Sequence, residues 1–554
     1  MNTSLVSTFA PRKLQDKPSY NTYMEIQLIP FEEIPQLSNR DKAYYREDSS
    51  LKPFFKYNAD LEAFAAAIQD KRTENIDRAL LVEVLTEQYQ HLDTTGKVAE
   101  NIARLGASNA FTVVTAHQPS LFTGPLYYIY KIISCINLAE QLNERYAEQQ
   151  FVPIFITGGE DHDFEEANHL HLFGKRLEWQ SGEMGSVGQM KTEQIAPILE
   201  ELKAILKDSD NSNKVYDIMH RAFTANALYA DATIQMVHEL FKDYGLVVLN
   251  MSNAKLKRAF IPHIKKEIFE RPSKALIEAT VNALEVAGFS GQATPRDINF
   301  FYLRPQMRER IVYEAGMYRV LNTDFAFTAA EMEAEIEQYP ERFSPNVVMR
   351  PLYQEAILPN LAYIGGGGEL AYWLERKSQF EHFGVNFPML IRRNSALWVD
   401  AGTYKRINKL DFSVKDMFQS EHWLVKEFVN KQAEEALTLE EQKRALEVIF
   451  EGIAERTALI DQTLVKTVWA EHAKQLKSIE NLEGRIHRAE KQKHDTALKQ
   501  IASLKEKLYP KNDGLQERYD NFMGFYLRYG QEFFDVLKEH LDPLKKGFVV
   551  IIDK

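Results

Sequence analysis

Cysteine is nearly absent from this chain: Cys135 is the single one among 554 residues. An intrachain disulfide and any multi-cysteine metal site are therefore excluded. Cys135 stands in the apolar stretch Lys131-Ile132-Ile133-Ser134-Cys135-Ile136-Asn137-Leu138-Ala139 and reads as a small core residue, with nothing nearby to lower a thiol pKa. Long apolar runs are missing too, since no stretch reaches the roughly 18 residues of a membrane span. The start, Met1-Asn2-Thr3-Ser4-Leu5-Val6-Ser7-Thr8-Phe9-Ala10-Pro11, lacks the charged opening and continuous apolar core of a signal peptide, so a cytoplasmic protein with no membrane partner is expected. Positive charge is in short supply: 67 Lys and Arg against 79 Asp and Glu leave a formal net charge of −12. That disfavours a large nucleic-acid footprint, and no nucleic-acid partner is expected. The phosphate-loop pattern Gly-x-x-x-x-Gly-Lys occurs nowhere.

What is present is the composition of a globular protein, 45% hydrophobic and 26% charged, in a chain too long for one core. Phe111-Thr112-Val113-Val114-Thr115-Ala116 and residues 151–157 are apolar runs that read as buried strands, each followed by a polar loop and then a helical pattern. Further strand-like runs fall at 245–250, 346–350, 361–364 and 387–392, with helical patterns such as 195–206 and 232–242 between them. Alternation of this kind predicts an α/β fold with a largely parallel sheet over residues 100–395. Residues 255–340 break the rhythm, with a helical pattern at 275–286, Phe300-Phe301-Tyr302-Leu303 and the charged run Arg308-Glu309-Arg310, and read as a connecting insertion covering the crevice. The core is expected to span 1–420.

Beyond residue 420 helix formers dominate. Thr438-Leu439-Glu440-Glu441 fits a capping box. Leu446, Ile449, Ile453, Ile460 and Leu464 line one helical face, a second stripe runs through Ile479, Leu482 and Ile486, and no proline falls between Val465 and Tyr509. With Asp461 as N-cap, this predicts an antiparallel α-helical coiled-coil arm over 421–508 with more apolar seam than it can bury alone, so a homodimer through the arm is expected. Residues 509–554, ending in Gly547-Phe548-Val549-Val550-Ile551-Ile552, are expected to rejoin the core.

In an open parallel sheet the loops leaving the carboxyl ends of strands carry ligands. His117-Gln118-Pro119-Ser120-Leu121-Phe122-Thr123-Gly124-Pro125 is one such loop, and Gly158-Gly159-Glu160-Asp161-His162-Asp163-Phe164 the other. The second, with Glu165, Glu166, Asn168, His169 and His171 behind it, offers metal ligation or the holding and deprotonation of an amine, against a plain reading as a charged loop whose aspartate caps a helix. Gly365-Gly366-Gly367-Gly368-Glu369 lies between a strand and the helical Leu370-Ala371-Tyr372-Trp373-Leu374, where a backbone free of side chains suits an anionic group and Glu369 an amine. Arg350 has the fork for a carboxylate or phosphate, or else a structural ion pair to Glu355 or Glu369.

These blocks, with Asn346 to Arg350, Leu508-Tyr509-Pro510 and Leu515-Gln516-Glu517-Arg518, resemble in order those of the bacterial bacillithiol synthases, the cysteine-adding ligases, from about residue 50 onward. The first block differs from the family's usual Gly-Gln-Gln in having Ala116-His117-Gln118-Pro119. The resemblance implies a Rossmann-like core related to class I aminoacyl-tRNA synthetases, a coiled-coil arm supporting a dimer, and the joining of cysteine to glucosaminyl malate. Carboxylate activation by ATP, with magnesium, and no transition metal go with it. On this reading His117 and Gln118 contact the activated carboxyl or phosphate, and Asp161, His162 and Asp163 hold and deprotonate the amine. Arg350 clamps the malate carboxylates, Gly365, Gly366, Gly367 and Gly368 face an anionic group, and Tyr372 and Trp373 wall the pocket. Ser120, Thr123, Gly124, Glu160, Asn168 and Glu369 complete the candidate substrate and nucleotide contacts, and the turn 508–518 is a second candidate ligand contact or simply a helix end. Two competing readings are a metal-dependent hydrolase or deacetylase of an amino sugar using Asp161, His162 and His169, and a scaffold built around the arm.

Overall fold

The computed structural model describes residues 24–94, 96–432 and 438–554; the N-terminal stretch read above for a signal peptide lies outside them. At its centre is a five-stranded, all-parallel sheet. Its strands in chain order are β1 (Ala110–His117), β2 (Gln150–Thr157), β3 (Val247–Asn250), β4 (Asn360–Gly365) and β5 (Met389–Arg392), and their spatial order is β5-β4-β1-β2-β3. The strands are buried on both faces, which is why they read as continuous apolar runs. Val114 and Ala116 of β1 pack with Val152, Ile154 and Ile156 of β2 on one side. Phe111 and Val113 turn the other way, onto Cys135, Leu138 and Met389. Cys135 is a core residue, its thiol donating to the Val113 carbonyl at 3.1 Å.

Register sets the site. His117 pairs with Thr157, Thr157 with Asn250, Thr115 with Ile364 and Gly365 with Arg392, so the five carboxyl ends form one line. The chain builds β1, β2 and β3 outward on one side, then returns to place β4 and β5 on the other. The direction of winding therefore reverses between β1 and β4, the place where such sheets open a crevice.

The insertion is an antiparallel sheet of its own, in the order Ala326–Phe327, Met317–Val320, Met307–Glu314, Phe300–Arg304, Phe343–Pro345. The predicted strand at 346–350 is not formed. Asn346 instead opens a turn, its side chain accepting from the Val348 amide at 2.8 Å, and a helix, Arg350–Ile357, follows. Pro351 explains the switch: it fits the first turn of a helix, whose amide needs no partner. Arg350 thus opens a helix at the crevice rather than ending a strand.

The helices Glu440–Ala458 and Val465–Lys493 form the antiparallel arm, and Asp461 caps the turn between them through the Thr463 amide at 2.8 Å. The capping box at Thr438 does not form; the Leu439 amide donates instead to Glu483 of the facing helix at 3.0 Å. The long helix also breaks at His494, whose ring packs edge-on against Phe428, and resumes as Asp495–Leu508. The seam is open: Ile449, Ile460 and Leu482 are 58%, 86% and 52% exposed. The last strand, Phe548–Asp553, lies between Met24–Ile29 and Ala396–Val399 in a three-stranded sheet of its own. No helix among the described residues is long and apolar enough to cross a membrane.

Candidate active site at the strand ends

His117 is the last residue of β1, at the switch point of the sheet. Its Nδ1 lies 2.8 Å from the Gln118 carbonyl, an oxygen that can only accept, so Nδ1 carries the proton. Nε2 is then a lone pair, and it accepts from the Tyr127 hydroxyl at 3.1 Å. Burial, reinforced by the charge of Lys131, holds the imidazole down to about 4, so it is neutral at neutral pH.

Beneath it lies a pair that sequence reasoning missed. Lys131 sits in the apolar helix Tyr127–Arg145, fully buried, and donates to the Ala116 carbonyl and to both Glu369 oxygens at 2.8 and 2.9 Å. Glu369 also accepts from the Tyr363 hydroxyl at 2.6 Å and the Gly366 amide at 2.8 Å. Burial opposes its charge, but Lys131 and the Gly366 amide prevail and hold it at about 2. Its oxygens are thus occupied, and the expected role of binding an amine gives way to that of a clamp between β1 and the glycine loop. The available signal was a lysine in an apolar helical run, since a buried charge needs a partner.

The glycines divide. A side chain on Gly367 would run into the Asp41 carboxylate, which pairs with Arg392 at 3.1 Å, so that glycine serves packing. Gly365 belongs to β4 and would crowd Tyr363; Gly366 caps the helix Gly367–Trp373, and only Gly368 is open. Trp373 is fully buried against Tyr363, ring centroids 4.5 Å apart, so it supports the crevice from behind instead of walling it. Tyr372 turns instead to Arg350, its hydroxyl 3.5 Å from the guanidinium. Arg350 otherwise donates to Gln354 at 3.2 Å and lies over the Tyr363 ring. Neither expected carboxylate pairs with it: Glu369 is held by Lys131, and Glu355, bonded to Lys71 and Asn360, is linked to Arg350 only through the Gln354 side chain.

The loop after His117 is tightly built. Phe122, Thr123 and Gly124 all have positive φ, 46°, 72° and 59°, a strained run for the first two. Asn521 braces it, donating to the Phe122 and Gly124 carbonyls at 3.0 and 2.6 Å. Ser120 is buried with its hydroxyl 3.4 Å from His117 Nδ1, and Gln118 reaches across to Glu166 at 2.9 Å. In the 508–518 turn, Gln516 and Glu517 are spent on the core: Gln516 bonds the Trp398 backbone, and Glu517 pairs with Arg393 at 2.8 Å. Arg393 in turn covers the Tyr127 ring at 5.1 Å.

On the far side of the crevice the second loop is fastened to the insertion. Glu160 pairs with the buried Lys257 at 2.8 Å, and Lys257 donates also to the Phe343 carbonyl at 2.8 Å. Arg308, from the strand Met307–Glu314, donates to His162 Nδ1 at 2.6 Å and lies 3.5 Å from Asp161. A guanidinium only donates, so His162 Nδ1 is an accepting lone pair and its proton is on Nε2. Asp161 is held down to about 2; burial works against this, while the His162 backbone amide, which donates to it at 2.7 Å, and the charge of Arg308 outweigh it. Asp163 caps the short helix Phe164–Ala167, as the plain reading expected. Asn168 and His169 line a cavity of about 490 Å³ with Arg176 and Glu178, to which neither His117 nor Arg350 contributes. Asp161, His162 and His169 do not converge as ligands, and among the described residues no three His, Cys, Asp or Glu side chains do.

Comparison with known proteins gives a consistent picture. Residues 24–394 match the family described as bacillithiol biosynthesis BshC, N-terminal Rossmann-like domain, and residues 396–552 its C-terminal coiled-coil domain. Proteins named "Putative cysteine ligase BshC" from Flavobacterium johnsoniae and Christiangramia forsetii are each 39% identical over 92% of this chain, covering 96% and 95% of their own lengths. One of the same name from Cytophaga hutchinsonii is 36% identical over 94% of this chain and 97% of its own. The chain belongs to the bacillithiol biosynthesis BshC family.

Proposed function

We propose that this protein is a ligase of bacillithiol biosynthesis that joins cysteine to the amine of glucosaminyl malate, after ATP, with magnesium, has activated the cysteine carboxylate. The family's Rossmann-like and coiled-coil halves and the ligase name of its relatives support the reaction class. The observation that carries the choice of acceptor is Arg350, a half-buried guanidinium at the switch point whose hydrogen bonds go to the neutral Gln354 and Tyr372. A cation left in such a place is stabilised by an incoming carboxylate, and malate brings two. The buried hydroxyls of Thr123 and Thr157, near the same sheet end, have no hydrogen-bond partner among the described residues and suit a phosphoryl or carboxyl oxygen. The metal-dependent hydrolase reading is less well supported, because Asp161 and His162 are neighbours but His169 does not join them in a three-ligand group.

The arm fits a second copy of this chain, since Leu459, Ile460 and Val448 stand 88%, 86% and 66% exposed. The working protein is then a cytoplasmic homodimer.

The test is to incubate the purified protein with cysteine, glucosaminyl malate and magnesium ATP and follow the condensed thiol by mass spectrometry. Enzyme- and ATP-dependent product is the expected outcome; intact substrates, or a deacylated amino sugar, would overturn the reading. Arg350→Ala should raise KM for glucosaminyl malate about 10- to 100-fold with kcat nearly unchanged, the loss of one charge-assisted contact. An unchanged KM would remove Arg350 from acceptor binding.

A further inference from the structure

The crevice contains two histidines, and their hydrogen bonds leave only one of them usable as a base. His162 has its lone pair against Arg308. His117 presents its lone pair to the hydroxyl of Tyr127, a residue that opens the helix Tyr127–Arg145 and is only half-buried, with its ring under Arg393. We propose that Tyr127 is a catalytic residue: its phenol oxygen takes the proton of the attacking amine while its own proton passes to His117 Nε2. This rests on the ligase reading above.

The geometry defines each proton. With His117 Nδ1–H fixed on the Gln118 carbonyl and Nε2 accepting from Tyr127, the phenol points its hydrogen at the imidazole and turns its oxygen lone pairs elsewhere. Those lone pairs accept an N–H from the amine. As the amine nitrogen attacks the activated carboxyl carbon, the C–N bond forms and the C–O bond to the phosphate-bearing leaving group breaks, its electron pair leaving with that oxygen. One proton moves from the nitrogen to the Tyr127 oxygen, and the Tyr127 proton moves to Nε2. The products are a neutral amide, a neutral tyrosine and an imidazolium, which later returns its proton to solvent.

The surroundings of the pair fix its resting protonation, a neutral phenol beside a neutral imidazole. Burial raises Tyr127 to about 12, ahead of the opposing Arg393 and the contributions of Glu369, Glu166 and Arg518, so the phenol is protonated at rest. His117 faces Lys131 and Arg393, which disfavour an added proton, and Glu369, which favours it. The imidazole is therefore always in its accepting form near neutral pH. A nitrogen with its bond to carbon forming is far more acidic than a free ammonium, so a weak base suffices to deprotonate it.

Tyr127→Phe keeps the ring under Arg393 and removes only the hydroxyl. In the condensation of cysteine with glucosaminyl malate, kcat should fall about 100-fold or more, with KM for the acceptor within about threefold. Hydroxylamine, which attacks activated carboxyls without a general base, should be consumed by the variant at a rate within about fivefold of wild type, a split that a merely structural role for the ring would not produce. His117→Gln should show the same split, and Tyr127→Phe with His117→Gln should be no slower than the slower single variant. A Tyr127→Phe kcat within about threefold of wild type, equal losses with both nucleophiles, or multiplying losses in the double variant would each overturn the relay while leaving the ligase reading standing. A wild-type protein that forms no amide with either nucleophile would overturn the ligase reading and the relay with it.

Discussion

The two sides of the crevice are made from the same parts and arrive at opposite chemistries. Each has a histidine, a carboxylate just beyond a strand end and a fully buried lysine bound both to that carboxylate and to a backbone carbonyl: Lys131 with Glu369 and Ala116 on one side, Lys257 with Glu160 and Phe343 on the other. The first lysine ties β1 to the start of the helix that follows β4, across the switch point. The second ties a loop of that sheet to the insertion. His117 keeps an imidazole lone pair on a neutral phenol, whereas His162 spends its own on a guanidinium. A histidine in a crevice is thus no more a base than its hydrogen-bond partners permit, and partners decide the matter before pKa does.

The largest effect that would test this contrast is on the side of the sheet. Glu369→Gln leaves Lys131 buried without its counter-charge, and breaking a buried pair in this way costs about 3–5 kcal/mol, measurable as a shift in urea midpoint at pH 7. The pH dependence has a defined sign. Glu369 is held at about 2 when folded, against an ordinary 4.5, so the stability it confers is complete above pH 4.5 and is lost as pH falls toward 2. Wild type and variant should therefore converge in stability across that window. A gap that stays constant down to pH 2 would mean that the carboxylate does not hold Lys131.

Lys257→Met should cost less, about 1–3 kcal/mol, because the Glu160 side chain it abandons is 16% exposed and can be rehydrated. Its signature lies elsewhere: the loop 158–163 and the insertion should lose amide-exchange protection together while β1 and β4 keep theirs. Equal loss in both regions would erase the distinction between the two lysines.

How far this architecture was legible in the sequence depends on distance along the chain. Strands such as β1 and β2 announce themselves because burial on both faces writes an uninterrupted apolar run, and the insertion is visible where the run-and-helix rhythm stops. His117, Asp161 and Arg350 were visible as strand-end or loop residues of the right chemistry. What could not be read is pairing. Lys131 and Glu369 are 238 residues apart and Arg308 and His162 are 146 apart; they meet because parallel strands demand long crossovers and because an antiparallel sheet folds back over the first. Without its partner, Glu369 looked like an open carboxylate and His162 like an open base. The apolar pattern of Leu370 to Leu374 likewise could not say that Trp373 faces the core while Tyr372, one position earlier, faces Arg350.

The smallest effect is expected at His162 itself. Its side chain is half exposed and Arg308 has a second acceptor in Asp161, so His162→Ala frees a guanidinium that can close the remaining 3.5 Å gap to the carboxylate. The loop remains fastened, and the insertion remains in place. Turnover should fall, through looser positioning of the loop, by less than about tenfold, against the hundredfold or greater loss expected of a general base. The pH–rate profiles of wild type and His162→Ala should superimpose once scaled, since no titrating group that gates the reaction has been removed. A His162→Ala loss as deep as that of His117→Gln, with the acidic limb of the profile abolished, would place the base on the insertion side of the crevice and reverse the assignment of the two histidines.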